Sequence, residues 1–365
     1  MLVLSDNAHL SSVKPNDGLK MSIKTAKAWC IRLVPVMLFF ICYYFSKFYL
    51  QNFISCRLHC SKTPSFTKYQ CNKIIAQKKW ESLNLNINRN ARLFLKLKDF
   101  FWKKHLSLLP LPYGLKGSES VLLKILANYR VANYSMPTSI ESLDCRTCVV
   151  IGNGFALKNS SLGTAINRHD IVIRMNDAPV RGYEQDVGNK TTMRLFYPES
   201  ASFNPDLQND PDTLQVLVPF KQLDLDWLRQ ILFNEKRMTT GFWKPPPQVW
   251  LGRISQLRIL HPCFLHLTAS KLLQIPLEPK NQQNPVHPST GILAIFLALN
   301  YCDVVSVAGF GYPASQNQKH LIHYYGNQAM KSMSIKDSHH DLSREAQILK
   351  RLEDMEAIRN LHQHS

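Results

Sequence analysis

Three histidines and a glutamate late in the chain have the types and spacing for acid–base chemistry. His323 stands in a His-Tyr-Tyr-Gly run (323–326), His339 and His340 are adjacent, and a His-x4-Glu spacing leads from His340 to Glu345. An imidazole with its ordinary pKa near ~6.5 exchanges protons close to neutrality and suits general acid–base work. A single histidine in a chain is usually structural or on the surface. Several within a short stretch, close to glycine-rich turns, point to a site.

The second group is a pair of amides. CVVIGNG (Cys148 to Gly154) is a β-branched run that stops at Gly-Asn-Gly, and DIVIRMN (Asp170 to Asn176) is a second run that delivers an asparagine at its end. Both read as buried strands followed by turns. In open α/β sheets ligands bind at the carboxyl ends of strands, which makes Asn153 and Asn176 ligand-facing amides. The third group is HPSTG (His287 to Gly291), which runs straight into ILAIFLALN. Ser289 or Thr290 can cap that helix, whose free N–H groups and dipole favour an anion. A further strand, Val304 to Ala308, then ends in Gly-Phe-Gly-Tyr (309–312), so Gly311 joins Ser289, Thr290 and Gly291 in a nucleotide pocket. No one of these turns defines such a pocket; their combination does.

Metal chemistry finds little support. There is no His-Glu-x-x-His, and Cys145-x-x-Cys148 lacks a second paired cysteine motif. Asp224-Leu225-Asp226 has the Asp-x-Asp form used by metal-dependent sugar transferases. However, it opens a predicted helix with Leu225, Trp227, Leu228 and Ile231, and acids are favoured in a first helical turn.

The elements that must position these residues alternate. Strands are expected at 149–151, 171–175, 214–219, 258–260 and 304–308; helices at 118–127, 162–167, 224–233, 268–273, 291–300 and 342–357. That alternation predicts an α/β domain: a Rossmann-like, mostly parallel twisted sheet flanked by helices. The proline-rich stretches at 245–247 and 276–288 are loops of the kind that edge a site.

Upstream, the chain changes character. Lys14, Lys20, Lys24, Lys27 and Arg32 precede an uncharged, aromatic-rich stretch from Leu33 to Ser46 with no small-x-small cleavage site after it. This predicts an uncleaved signal anchor at 33–50 behind a cytoplasmic tail at 1–32. The apolar core is short for a bilayer, and snorkelling by Arg32 and Lys47 makes up the difference. Residues 47–104 hold thirteen Lys or Arg against Glu81 and Asp99, so much of the chain's formal charge of +18 is concentrated there. With no zinc-finger or RNP pattern beside it, this is a basic stem, placed at 51–104, and not a nucleic-acid groove. The catalytic domain then occupies 105–365. Sequons at Asn133, Asn159 and Asn189 agree with a lumenal location, where the nine cysteines become disulfide candidates. Connectivity, including the partners of Cys145 and Cys263, stays open on the sequence alone.

The motifs, taken in order, resemble the animal sialyltransferases. CVVIGNG through RMNDAPVRGYEQDVGNKTTMRLFYPES resembles their large motif, HPSTGILAIFLALNYCDVVSVAGFGY the small one, HYYG the third, and His340 with Glu345 the very small motif. The four together cover about Cys145 to Glu345. RLFYPESA, DPDTL and GFWKPPP are most similar to the β-galactoside α2,3-sialyltransferases that act on lactosamine-type termini. The resemblance implies a Golgi single-pass type II membrane protein with a lumenal Rossmann-like domain, a GT-A variant without an Asp-x-Asp metal site. It implies transfer of sialic acid from CMP-sialic acid to the 3-hydroxyl of terminal galactose, with inversion and without a metal or other cofactor. A monophosphate donor has no diphosphate for a metal to bridge.

By the same resemblance Asn153 and Asn176 hold the nucleotide, while Ser289, Thr290, Gly291 and Gly311 line the rest of the donor site. His340 is the general base, His323 stabilises the departing phosphate, and Glu345 orients that region. Cys148 and Cys302 are implied to form a disulfide. The sequence departs from the family pattern at Gly326, where an acid is common, and at His287, where some relatives carry an aromatic residue. Partners implied are the donor, galactose-terminated glycans and the membrane, with no nucleic acid; a homodimer is left open. A non-catalytic, glycan-binding member of the family is the alternative, and the intact histidines and glycine turns weigh against it.

Overall fold

The computed structural model describes residues 42–47, 81, 83, 85, 92–97, 107–128, 136–278, 286–311, 319–330 and 339–363. The chain divides into two units, Met1–Tyr69 and Gln70–Ser365. Of the first, residues 42–47 form a helical turn with Tyr43, Tyr44 and Phe45 exposed. The rest of the expected tail and anchor lies outside the described residues, and among the described residues no helix is long and apolar enough to cross a membrane.

The second unit is built on a seven-stranded sheet in which every described pairing is parallel. Its strands are β1 (Thr147–Ile151), β2 (Ile171–Met175), β3 (Met193–Phe196), β4 (Leu214–Leu217), β5 (Leu257–Ile259), β6 (Val304–Ala308) and β7 (Arg359–Asn360). The order is β5-β4-β3-β2-β1-β6-β7. The chain therefore walks outward from β1 to β5, then returns to the other side of β1, which puts a topological switch point between β1 and β6.

Both faces of the sheet are covered, as expected of parallel strands that read as continuous apolar runs. Along β1, Cys148 and Val150 join the core on one face, and Val149 and Ile151 the core on the other. The first face is filled by the helix Thr290–Tyr301, apolar along almost its whole circumference and buried at every position except Gly291. Such a helix is stable only inside a core, and it lies against β1, β2, β3 and β6. The opposite face, over β3 to β5, is closed by the helices Glu119–Leu126 and Gln222–Phe233 through Leu122, Ile125, Leu225, Trp227 and Leu228.

The strand and helix expectations hold with shifts of one to three residues, except for four points. β3 and β7 were not foreseen. The expected helix 268–273 is present as a π-helical continuation of the helix Cys263–Leu267. The boundary of the basic stem also needs correction. Leu83, Leu85, Leu93, Phe94 and Leu95 are buried in the cores, Phe94 bridges Leu260, and His261 donates its N–H to the Leu93 carbonyl. The folded unit therefore reaches upstream of residue 105. The apolar Leu-Phe-Leu run at 93–95 overrides the surrounding lysines, because pairing with the end of β5 buries it.

Candidate active site

The carboxyl ends of β1, β2 and β6 open onto one cleft of about 630 Å³, within the ~300–1,000 Å³ typical of small-molecule sites. Asn153, Asn176, Ser289, Thr290, Gly291, Gly311, His323, His340 and Glu345 all line it. The residues singled out from sequence thus converge, although they are spread over nearly two hundred positions.

The floor is made by two backbone turns in contact. Gly152 donates its N–H to the Ala308 carbonyl at 2.7 Å and Gly154 to the Gly309 carbonyl at 2.9 Å. The His-Tyr-Tyr-Gly run is fastened to the same turn. Phe155 donates to the Ile322 carbonyl, Tyr324 donates to the Asn153 carbonyl, and Gly154 bridges His323. Asn153 therefore sits between two glycines with its own carbonyl committed. Asn176 ends β2 in the left-handed region, at φ 56°, a conformation asparagine tolerates better than most residues. Its side-chain Oδ1 is buried with no hydrogen-bond partner in the protein.

The wall opposite is the start of the helix Thr290–Tyr301. Ser289 caps it, accepting from the Ile292 N–H at 3.3 Å. Glu345, buried on the last long helix (Leu342–Asp354), accepts from the Ser289 N–H at 2.7 Å and from the Ser289 hydroxyl at 2.6 Å. Burial pushes the Glu345 carboxyl up to about 7, the Ser289 hydrogen bonds opposing that rise. Glu345 thus lines the cleft and also holds Ser289, at the start of the helix facing it, by two hydrogen bonds.

His340 is held by its Nδ1, 2.8 Å from the His287 carbonyl. A carbonyl only accepts, so Nδ1 carries the proton and in the neutral ring the lone pair is on Nε2. Burial lowers the pKa of His340, and the neighbouring His339 works in the same direction, which favours that neutral form. His287 is pushed down to about 4 by burial and by His340 and His339, and its Nδ1 lies 3.2 Å from the Tyr113 hydroxyl. His323 stacks on Tyr325 with ring planes 8° apart, and burial lowers its pKa.

Sequence reasoning missed the far wall, which is formed by Tyr197, Glu199, Phe220, Lys221 and Trp243. Lys221 Nζ is 2.5 Å from the buried Glu199. Tyr197 and Glu199 follow directly on β3, so recognising that strand would have placed them by the same strand-end rule that placed Asn176. Asp224 also lines the cleft. Its carboxylate caps the helix Gln222–Phe233, accepting from the N–H groups of Phe220 and Lys221, and Asp226 pairs with Arg229 at 3.6 Å. The helix-start reading of this Asp-x-Asp accounts for both acids.

The Cys148–Cys302 disulfide is present and joins β1 to the end of the helix Thr290–Tyr301, with Cα atoms 6.0 Å apart. Cys263 is not in a disulfide, whereas Cys145 is, so the two do not pair with each other.

A doubly wound parallel sheet with glycine turns, two amides and a capped helix start at its switch point, and a neutral histidine above them, is the arrangement of a Rossmann-like transferase using a nucleotide-linked donor. The chain belongs to glycosyltransferase family 29, the sialyltransferases, whose family model matches residues 94–357. A rat relative, CMP-N-acetylneuraminate-beta-galactosamide-alpha-2,3-sialyltransferase 4, is 52% identical over 276 residues, 76% of this chain and 81% of its own length. The human type 2 lactosamine alpha-2,3-sialyltransferase is 42% identical over 254 residues, 69% of this chain and 75% of its own length. Among solved structures, a mammalian sialyltransferase in complex with Gal-beta-1-3GalNAc-ortho-nitrophenol superposes with a TM-score of 0.57 at 27% identity. That match covers 80% of this chain and 96% of the solved one.

Proposed function

We propose that this chain transfers sialic acid from CMP-sialic acid to the 3-hydroxyl of a terminal β-galactose on lactosamine-type glycans, with inversion and without a metal. The observation that carries the reading is the tautomer of His340. Its Nδ1 is spent on the His287 carbonyl, which leaves Nε2 as the basic nitrogen of a neutral ring lining the same cleft as the two amides and the capped helix start. In the reaction Nε2 takes the proton of the galactose hydroxyl, the oxygen bonds to the anomeric carbon, and the bond to phosphate breaks. His323, kept neutral by burial, donates a ring N–H to the leaving phosphate. Asn153 and Asn176 hold the nucleotide, and the Ser289–Thr290–Gly291 helix start faces an anionic group of the donor. The reacting anomeric carbon is quaternary and phosphate leaves well, so positioning and electrostatics do most of the work.

The same reading places the protein in the Golgi membrane as a single-pass type II protein anchored at 33–50. Its catalytic unit is lumenal, with glycans at exposed Asn159 and Asn189. The deciding experiment supplies purified protein with CMP-sialic acid and N-acetyllactosamine in the presence of a chelator, followed by linkage analysis. An α2,3 product is expected. Absence of transfer to any β-galactoside acceptor removes the proposal, and a strict metal requirement removes its mechanism.

A further inference from the structure

Three arginines, Arg174, Arg194 and Arg258, are buried inside the domain, and the chemistry above uses none of them. Arg194, on β3, is 4% exposed, and its guanidinium is held by three neutral oxygens. Its Nε donates to Asn209 Oδ1 at 2.8 Å, and its Nη1 donates to the carbonyls of Asn176 at 2.8 Å and Ala178 at 2.9 Å. Asn209, itself 5% exposed, donates its amide to the Pro205 carbonyl at 2.7 Å. The Arg194 Nη2 has no hydrogen-bond partner. A cation taken out of water at this cost, without a carboxylate against it, is retained where its donors do something a neutral side chain cannot.

What Arg194 does is close a turn. One terminal nitrogen grips the carbonyls on either side of Asp177, just where the backbone leaves β2 in the left-handed region. The Asn176 N–H is already fixed to the Leu195 carbonyl at 2.8 Å. With its N–H on the sheet and its carbonyl on Arg194, Asn176 has both backbone polar groups committed. Its side chain, by contrast, has a buried Oδ1 with no partner, in the lining of the cleft. A rigid backbone carrying an unsatisfied amide is a binding group set in advance for a ligand.

We propose that Arg194, supported by Asn209, is a positioning residue for the donor: its guanidinium fixes the 176–178 turn and so aims the Asn176 amide at the nucleotide. This rests on reading the cleft as a CMP-sialic acid site. Lysine at 194 cannot reproduce the effect, because a single ammonium on a flexible stem lacks the planar fork that joins Asn209 to the two carbonyls. Loss of such an aimed, buried hydrogen bond corresponds to about tenfold in affinity.

The test uses the full chain and the variants Arg194→Lys and Asn209→Ala. Initial rates are measured with donor and acceptor varied in turn, CMP affinity by equilibrium titration, and folding by thermal unfolding. The expected result is a rise of about tenfold in donor KM and in CMP Kd for Arg194→Lys, with a smaller rise of the same kind for Asn209→Ala. Acceptor KM stays within about twofold. If Arg194→Lys does not fold, Asn209→Ala decides. Unchanged CMP affinity in a folded variant overturns the proposal. So does a parallel loss in both KM values tracking a lowered Tm, the mark of a merely structural residue. Should the unsubstituted chain bind CMP yet transfer nothing, the transferase reading fails while the CMP titrations still decide the role of Arg194.

Discussion

Glu345 holds Ser289 by two hydrogen bonds across 56 residues of sequence, 2.7 Å to its N–H and 2.6 Å to its hydroxyl. That hydroxyl also accepts the Ile292 N–H at 3.3 Å. The carboxylate therefore sets the cap of the helix whose start faces the cleft. Glutamine at 345 can accept at only one atom, so in Glu345→Gln the bond to the Ser289 hydroxyl must reverse, the amide N–H donating to Oγ, and both bonds lose the carboxylate's charge. Ser289→Ala gives up the hydroxyl and the cap, worth about 0.5–2 kcal/mol. The expected outcome is that both variants raise donor KM and that the double variant is no worse than the poorer single one, since they break one unit. Additive losses in a double-mutant cycle would show that Glu345 acts elsewhere.

The same carboxyl gives a stability signature. Burial raises Glu345 to about 7 from an ordinary 4.5. Its contribution to stability is then fully present below about 4.5 and is lost as pH rises through about 7. Asp224, raised to about 7 by burial, acts in the same window. His287, lowered to about 4, works in the opposite sense, stabilising above about 6.5 and losing that effect as pH falls through 4. Glu345→Gln should flatten the fall in Tm between pH 4.5 and 7, leaving the part due to Asp224. An unaltered Tm profile would mean that Glu345 ionises as freely in the fold as in water.

For His340 the direction of the shift decides the acid limb of activity. Its pKa is lowered by burial, so the neutral base persists below pH 6.5, and kcat should fall only at pH values under that ordinary imidazole pKa. His340→Ala should cut kcat by a factor of about 10² to 10⁴ while leaving CMP binding intact. Turnover within a few-fold of the unsubstituted protein would remove His340 as the base.

The site was legible because its residues lie at strand ends. Asn153 and Asn176 were placed by their β-branched strands, and Ser289 by an apolar run too long and too uniform to be anything but a buried helix. β3 escaped because Arg194 interrupts the apolar run between Met193 and Leu195. The sequence reads as amphipathic there, whereas the arginine is inside, held by oxygens that come from 176, 178 and 209. Glu199 and Lys221 were missed for a related reason. Charged residues ordinarily mark solvated surface, and only the tertiary fold brings these two together in the cleft wall. β7, two residues long, carries no periodicity to detect.

The disulfide between Cys148 and Cys302 closes a loop spanning 154 positions, and both residues are fully buried. In a chain-entropy account, opening a loop of this size costs about 5 kcal/mol, toward the upper end of what removal of a native disulfide costs. Cys302→Ala should lower the unfolding free energy by about 2–5 kcal/mol. The residual Cys148 thiol is fully buried and inert in the folded state, so Cys148→Ala/Cys302→Ala is the companion variant that leaves no thiol to oxidise once denaturant exposes it. A loss below about 1 kcal/mol would mean that the Thr290–Tyr301 helix holds the start of β1 without the covalent tie.

Gly152 and Gly309 show how tightly the switch point is closed. A Cβ on Gly152 would lie 2.2 Å from the Gly309 carbonyl oxygen and 2.8 Å from its carbon. Those are backbone atoms, and Gly309 cannot retreat easily, since its own Cα faces Leu157, whose Cδ1 would be 2.4 Å from an added Cβ. Gly152→Ala must therefore part the β1 and β6 turns on which Asn153 and Gly311 are carried. A loss of about 3 kcal/mol or more is expected, together with weakened CMP binding. Gly182→Ala is the complementary case: its φ of 89° is left-handed, unlike that of Gly152, but an added Cβ meets nothing within 4 Å, so it should cost only the ~1–2 kcal/mol of left-handed backbone. A loss at Gly152→Ala no larger than that at Gly182→Ala would remove the claim that the two turns are too close to admit a Cβ.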